Sequence, residues 1–140
     1  MRIARITFSG HNLERAFTSW SRDVENEIEK IVLETVRMIQ AQAKLLAPVD
    51  DGSLKASIEI RQIDKFSATV TVGSEYAVYI EYGTGIYAVE GNGRQTPWTY
   101  WSNKLGRYVT TRGQKPQQFW VPAVESGERH FTSRMNRLFR

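Results

Sequence analysis

The sequence predicts an α+β fold on three observations. A helical periodicity runs from Leu13 to Leu46 and stops at Pro48, two pairs of β-rich runs follow with polar turns between them, and an amphipathic stretch closes the chain. Ahead of the helix, Ile3, Ile6, Thr7 and Phe8 suggest a short strand that Ser9, Gly10 and Asn12 punctuate. In the helix, an apolar stripe recurs three or four apart at Leu13, Phe17, Trp20, Val24, Ile28, Ile31, Thr35, Ile39, Gln42 or Ala43, and Leu46. Arg22, Glu25, Glu29, Lys30 and Arg37 hold the other faces. Pro48 ends it, because its ring disfavours the α conformation at Ala47 and it has no N–H for the ladder.

Unbroken, that helix is about 50 Å long, against a diameter of roughly 37 Å for a compact domain of this size. Either it breaks at Thr18-Ser19-Trp20-Ser21, where hydroxyls compete for backbone hydrogen bonds, or its end lies against another subunit. After Pro48, the run Val49-Asp50-Asp51-Gly52-Ser53 is a turn by composition, and Ser53 is placed to cap a short turn through Leu54 and Ser57. Ile58, Ile60 and Ile63 pair with Ala68 to Val72 across Asp64-Lys65-Phe66-Ser67 as a hairpin. Tyr76 to Tyr82 fits a two-turn helix stopped by Gly83, and a strand fits the same run. Trp98 to Trp101 and Tyr108 to Thr111 make a second hairpin. Phe119-Trp120-Val121-Pro122 leads into a last helix with Val124, Phe131, Met135 and Leu138 on one face.

The 140 residues suit one domain covering 1–140, with 41% hydrophobic and 24% charged residues, near the average of soluble chains. No run is long and apolar enough for a membrane span, and Met1 to Gly10, with Arg2 and Arg5, reads unlike a signal peptide. Zero cysteines exclude disulfides, a thiolate nucleophile and cysteine-based metal sites. The net charge of +4 is uneven: from Lys104 onward there are eight basic and two acidic residues, so the first 103 residues carry about −2.

Motif by motif, the chemistry of an enzyme is missing. Gly83-Thr84-Gly85 lacks the Lys-Ser/Thr of a phosphate loop and the spacing of a dinucleotide fingerprint. His11 and His130 are the only imidazoles, neither falls in a metal or triad pattern, and both read as surface histidines. Asp50 and Asp51 have a sufficient role in their turn, ahead of one as a metal or acid-base pair. Glu81, in an apolar stretch beside Tyr79 and Tyr82, calls for an Arg or backbone amide from the fold or a neighbour rather than a substrate. Trp98, Tyr100, Trp101, Tyr108, Phe119 and Trp120, near Arg107, Arg112 and Lys115, suit a core or protein interface, and the competing reading is a small basic nucleic-acid-binding module.

Three blocks carry a resemblance. They are Ala43-Lys44 with Ala47-Pro48-Val49-Asp50-Asp51-Gly52-Ser53-Leu54-Lys55-Ala56-Ser57-Ile58, then Tyr76-Ala77-Val78-Tyr79-Ile80-Glu81-Tyr82-Gly83-Thr84, then Pro116-Gln117-Gln118-Phe119-Trp120-Val121-Pro122-Ala123. In this order they resemble the tail-completion, or head-tail joining, family of long-tailed bacteriophages and prophages, which includes tail terminators and minor tail components. Asp51 stands where that family commonly has Thr, and Gln118 where it has Pro.

The resemblance implies a small antiparallel sheet packed against a long N-terminal helix, with a C-terminal helix. It implies a non-enzymatic, cofactor-free virion protein of the phage neck, assembled in the bacterial host cytoplasm without a membrane. Its expected partners are further copies in a ring of six, the tail tube protein and a head-side connector or stopper, with DNA passing through the lumen without sequence-specific binding. Pro48, Asp50, Gly52, Ser57, Tyr76, Tyr79, Glu81, Gly83, Thr84 and Pro122 are then its structural motif residues. Gly85, Tyr87, Gly91, Gly93, Trp98, Trp101, Arg112 and Trp120 are its candidate interface, with Gly85, Gly91 and Gly93 giving a loop freedom to order on docking.

Overall fold

A computed structural model describes residues 3–7, 22–49 and 52–139. In chain order these form strand β1 (Ile3–Thr7), helix α1 (Arg22–Leu46), a short helix α2 (Ser53–Ala56), strands β2 (Ile58–Asp64) and β3 (Ser67–Val72), and helix α3 (Ala77–Tyr82). A 3-10 turn (Gly85–Tyr87), strands β4 (Trp98–Ser102) and β5 (Arg107–Thr111), and helix α4 (Trp120–Leu138) complete it. Run 76–82 is thus the helix of the two structures that fitted it.

α1 forms where the period demanded it. Ile28, Ile31, Val32, Thr35, Val36, Ile39 and Ala43 are its buried residues, and steps of three, four and one keep them in one stripe. Asp23 and Glu25 at its start and Lys44 at its end match the helix dipole. Ala47 still donates to Ala43 O at 2.9 Å before Pro48 stops the ladder. Its 25 described residues span about 37 Å. The remainder of the predicted helix, Leu13 to Ser21 with its candidate break, lies outside the described residues, as do His11, Asp50 and Asp51.

The three-stranded sheet has the order β1-β3-β2, all antiparallel. Period-two alternation turns Ala68, Val70 and Val72 of the central strand and Ile58 of β2 inward, where each is almost fully buried against α1. Ile63 breaks the alternation set by Ile58 and Ile60. The register shifts between Gln62 and Asp64, and Ile63 stays exposed. Asp64 then turns the chain by accepting the Phe66 N–H at 2.9 Å.

α4 packs along α1, and its first turns, from Trp120 to Val124, also flank Ala4 and Ile6 of β1. Gly127 makes that approach possible, since a Cβ there would collide with the Ile39 side chain. At the far end Arg134 clamps the pair, with Nη1 2.8 and 2.9 Å from the two Glu34 carboxylate oxygens and Nη2 3.1 Å from Glu27. His130 joins this cluster with Nε2 3.5 Å from Glu34 Oε1, too poorly aligned for a hydrogen bond. It is therefore a partly buried residue of a helix-helix seam, where the sequence suggested a surface histidine.

Candidate functional site

Glu81 is fully buried, and its partners are backbone amides. α3 aims the carboxylate at the start of α4, where Oε2 accepts the N–H groups of Phe119 and Trp120 at 2.9 Å each and Oε1 accepts that of Val121 at 3.0 Å. An α-helix leaves its first four N–H groups without intrahelical partners. Phe119, Trp120 and Val121 supply three of them, and the fourth position is Pro122, which has no N–H to satisfy. One carboxylate and one proline thus complete the N-terminus of α4, and the negative charge lies where the helix dipole favours it. Two of the recognised blocks are locked together by this contact.

From Gly83 the chain leaves the core and returns at Gln114. Gly83 donates to Tyr79 O at 2.8 Å and sits at φ 78°. Thr84 N then donates to Gln114 O at 2.9 Å, Gln114 N returns to Thr84 Oγ1 at 2.9 Å, and Ile86 N reaches Arg112 O at 3.1 Å. Strands this close need glycine. A Cβ on Gly85 would collide with Arg112 O, one on Gly113 with Thr84 O, and one on Gly93 with Gly85 O. Two of the three glycines expected to loosen the loop therefore permit a crossing of backbones at its root, and only Gly91 of the three stands in open space.

Beyond this root stands the β4–β5 hairpin, paired from Trp98↔Thr111 to Ser102↔Arg107. Tyr100 and Val109 lie on one face, and Trp101 and Tyr108 on the other, with the latter rings edge-on at 5.1 Å and 78°. Among the described residues, pairing between the two strands is their only extensive contact with a strand or helix. Trp101 is accordingly 52% and Tyr108 69% exposed.

At the hairpin's foot, Pro48, Gly52, Tyr76, Tyr79, Thr84 and Trp98 come together around a groove of about 780 Å³ that Val49 and Gln117 also line. Tyr76 is 69%, Tyr79 56% and Val49 67% exposed, so the groove is rimmed by open apolar and aromatic surface. The structure does not bring the other predicted residues here. Ser57 closes α2, its Oγ donating to Leu54 O at 2.7 Å, and the N-cap position of α2 is Gly52 in the left-handed conformation rather than Ser53. Tyr87 lies under the Lys115 ammonium at 5.9 Å from its ring, Arg112 is exposed near the root, and Trp120, 3% exposed at the start of α4, belongs to the core instead of a surface. Sequence reasoning missed Gly113, Gly127 and Gln114, whose roles arise from long-range proximity. The Gly-rich spacing around 83–93 and 113 was the available signal.

Among the described residues no group of three or more His, Asp or Glu side chains is placed to hold a metal, and no helix is long and apolar enough to cross a membrane. What the geometry presents is an α+β scaffold bearing an uncovered aromatic arm and an open groove. Residues 12–83, just over half of the chain, match the family described as "Bacteriophage HK97-gp10, putative tail-component". The chain belongs to this family, and with it to the structural components of the phage tail. The match takes in the blocks around Pro48 and Glu81 and ends at Gly83, where the chain leaves the core. No curated protein and no solved structure matches the chain.

Proposed function

We propose that this chain is a one-domain tail-completion subunit, which closes into a ring on the end of the tail tube and joins it to the head-side connector while leaving a passage for DNA. Membership of the tail-component family carries this reading. The uncovered hairpin and groove agree with it, because a ring needs two different surfaces per subunit in a head-to-tail contact. Six copies per ring, a tail tube protein and a connector or stopper as neighbours, a place in the virion neck and a non-enzymatic role all follow from this reading. The motif residues Pro48, Gly52, Tyr76, Tyr79 and Thr84 then shape a contact surface, while Glu81 and Pro122 hold the frame behind it.

The deciding experiment is light scattering across concentration, alone and with purified tail tubes, with electron microscopy of the same samples. Closed rings, or a monomer that converts to rings on the tubes, are the expected result. A chain that stays monomeric and ignores the tubes overturns it. Salt-sensitive DNA binding by such a monomer would then favour a basic nucleic-acid module, a reading that the cationic aromatic hairpin also fits.

A further inference from the structure

The hairpin has a composition unlike the rest of the chain. Between Gly91 and Val124 there are five basic residues, Arg94, Lys104, Arg107, Arg112 and Lys115, and no Asp or Glu. The first ninety residues hold ten Lys and Arg against thirteen Asp and Glu, and the last fifty hold nine against two. The basic excess therefore falls on the hairpin and α4, and acidic residues of the first ninety that stay exposed, Glu75 among them, offer an electrostatic complement to the arm of another copy.

Aromatic rings on both faces make a second constraint. A two-stranded hairpin is marginal in water unless something covers it. A surface lying on one face would cover Tyr100 or Trp101, but not both, whereas a groove receives both faces. The Trp101 and Tyr108 rings also meet edge-on instead of offering a flat platform for bases. The groove at the hairpin's foot has matching apolar chemistry in Val49, Tyr76 and Tyr79, with exposed Glu75 beside them. The same chain's arm does not fill it. Trp98 lines the groove at the base of β4, and five residues of extended strand carry the tip about 17 Å away from there.

We infer that the tip of the β4–β5 hairpin, with Trp101, Leu105 and Tyr108, seats in the Tyr76–Tyr79 groove of a second copy of this chain. Lys104 and Arg107 lie toward Glu75 of that copy and set the direction of the contact. Each copy gives an arm and receives one, so the contact propagates until it closes. The inference deepens the ring reading and rests on it for the presence of a second copy.

A chain without cysteines makes the test direct. Full-length Leu105→Cys and a tagged full-length Val49→Cys, each checked by thermal melting, are mixed and treated with a short bis-maleimide. The expected product is a covalent dimer of one tagged and one untagged copy, absent when either variant is treated alone and absent when Glu128→Cys replaces Val49→Cys. Tyr108→Cys with Tyr76→Cys repeats the measurement at a second pair. Trp101→Ala should keep the melting temperature and weaken association tenfold or more, roughly the effect of losing a central aromatic anchor. Assembly by light scattering without either cross-link overturns the arm-in-groove contact and leaves the ring standing. A monomer with and without tail tubes overturns both, as does a monomer whose DNA binding is lost in Lys104→Ala with Arg107→Ala.

Discussion

The α1 core and the β4–β5 hairpin use the same residue types to opposite ends. In the core, apolar side chains point inward and fully buried Ile28, Ile31 and Ile39 contribute about 1.5–3 kcal/mol each. In the hairpin, Trp101 and Tyr108 point outward and their burial remains to be gained. The first region is stabilised by its own chain, while the second holds hydrophobic surface that stays exposed.

That contrast sets out a series of substitutions. The largest effect is expected at Glu81→Gln, where the new amide NH2 faces backbone N–H donors and leaves some unpaired in the interior. A loss of about 3 kcal/mol in urea unfolding is expected, and wild-type stability would mean that α4 does not depend on this carboxylate. Next comes Gly127→Leu, which drives a side chain into Ile39. It should cost about 2 kcal/mol, and a neutral result would dissolve the close α1–α4 approach.

Gly85→Ala tests the boundary between the two regions. Its φ of 62° and its contact with Arg112 O strain the root. The hairpin can fray without unfolding the core, so the global loss should stay near 1 kcal/mol. Hydrogen exchange should show the 84–114 amides losing protection while α1 keeps its own, and uniform loss would erase the distinction. Arg134→Ala removes a partly buried clamp and should cost about 1 kcal/mol in the core. Smallest of all, Tyr108→Ala should change monomer stability by less than about 0.5 kcal/mol, and a large loss would make the hairpin part of the core after all.

The legible parts of this molecule were those with a local period or punctuation. α1 announced itself through three- and four-residue spacing, both hairpins through β-rich runs beside polar turns, and α3 through its Gly83 stop. Glu81 was legible as a buried charge in need of amides or an arginine, but which amides was not, because nothing local joins position 81 to 119–121. The glycine crossing was misread for the same reason. Gly85 and Gly93 look like freedom in a sequence, and become close contact only when Arg112 and Gly113 arrive from far along the chain. Trp120 misled differently, since aromatic content alone does not separate a core ring from a surface one. The groove was hidden because its walls come from four separate stretches.

The hydrogen-bonded meeting of Thr84 with Gln114 gives the chain an exchangeable cassette. Everything between those residues departs from and returns to one point, and the ties of the segment to the scaffold lie near that doorway, as where Val89 donates to Tyr82 O at 2.9 Å and Trp98 lines the groove beside Tyr76. Each doubling of such a loop costs only about 0.6 kcal/mol in closure entropy. A longer, shorter or differently charged arm can be spliced in at that doorway without redrawing the helices behind it, and the surface that the arm presents can diverge while the frame stays the same.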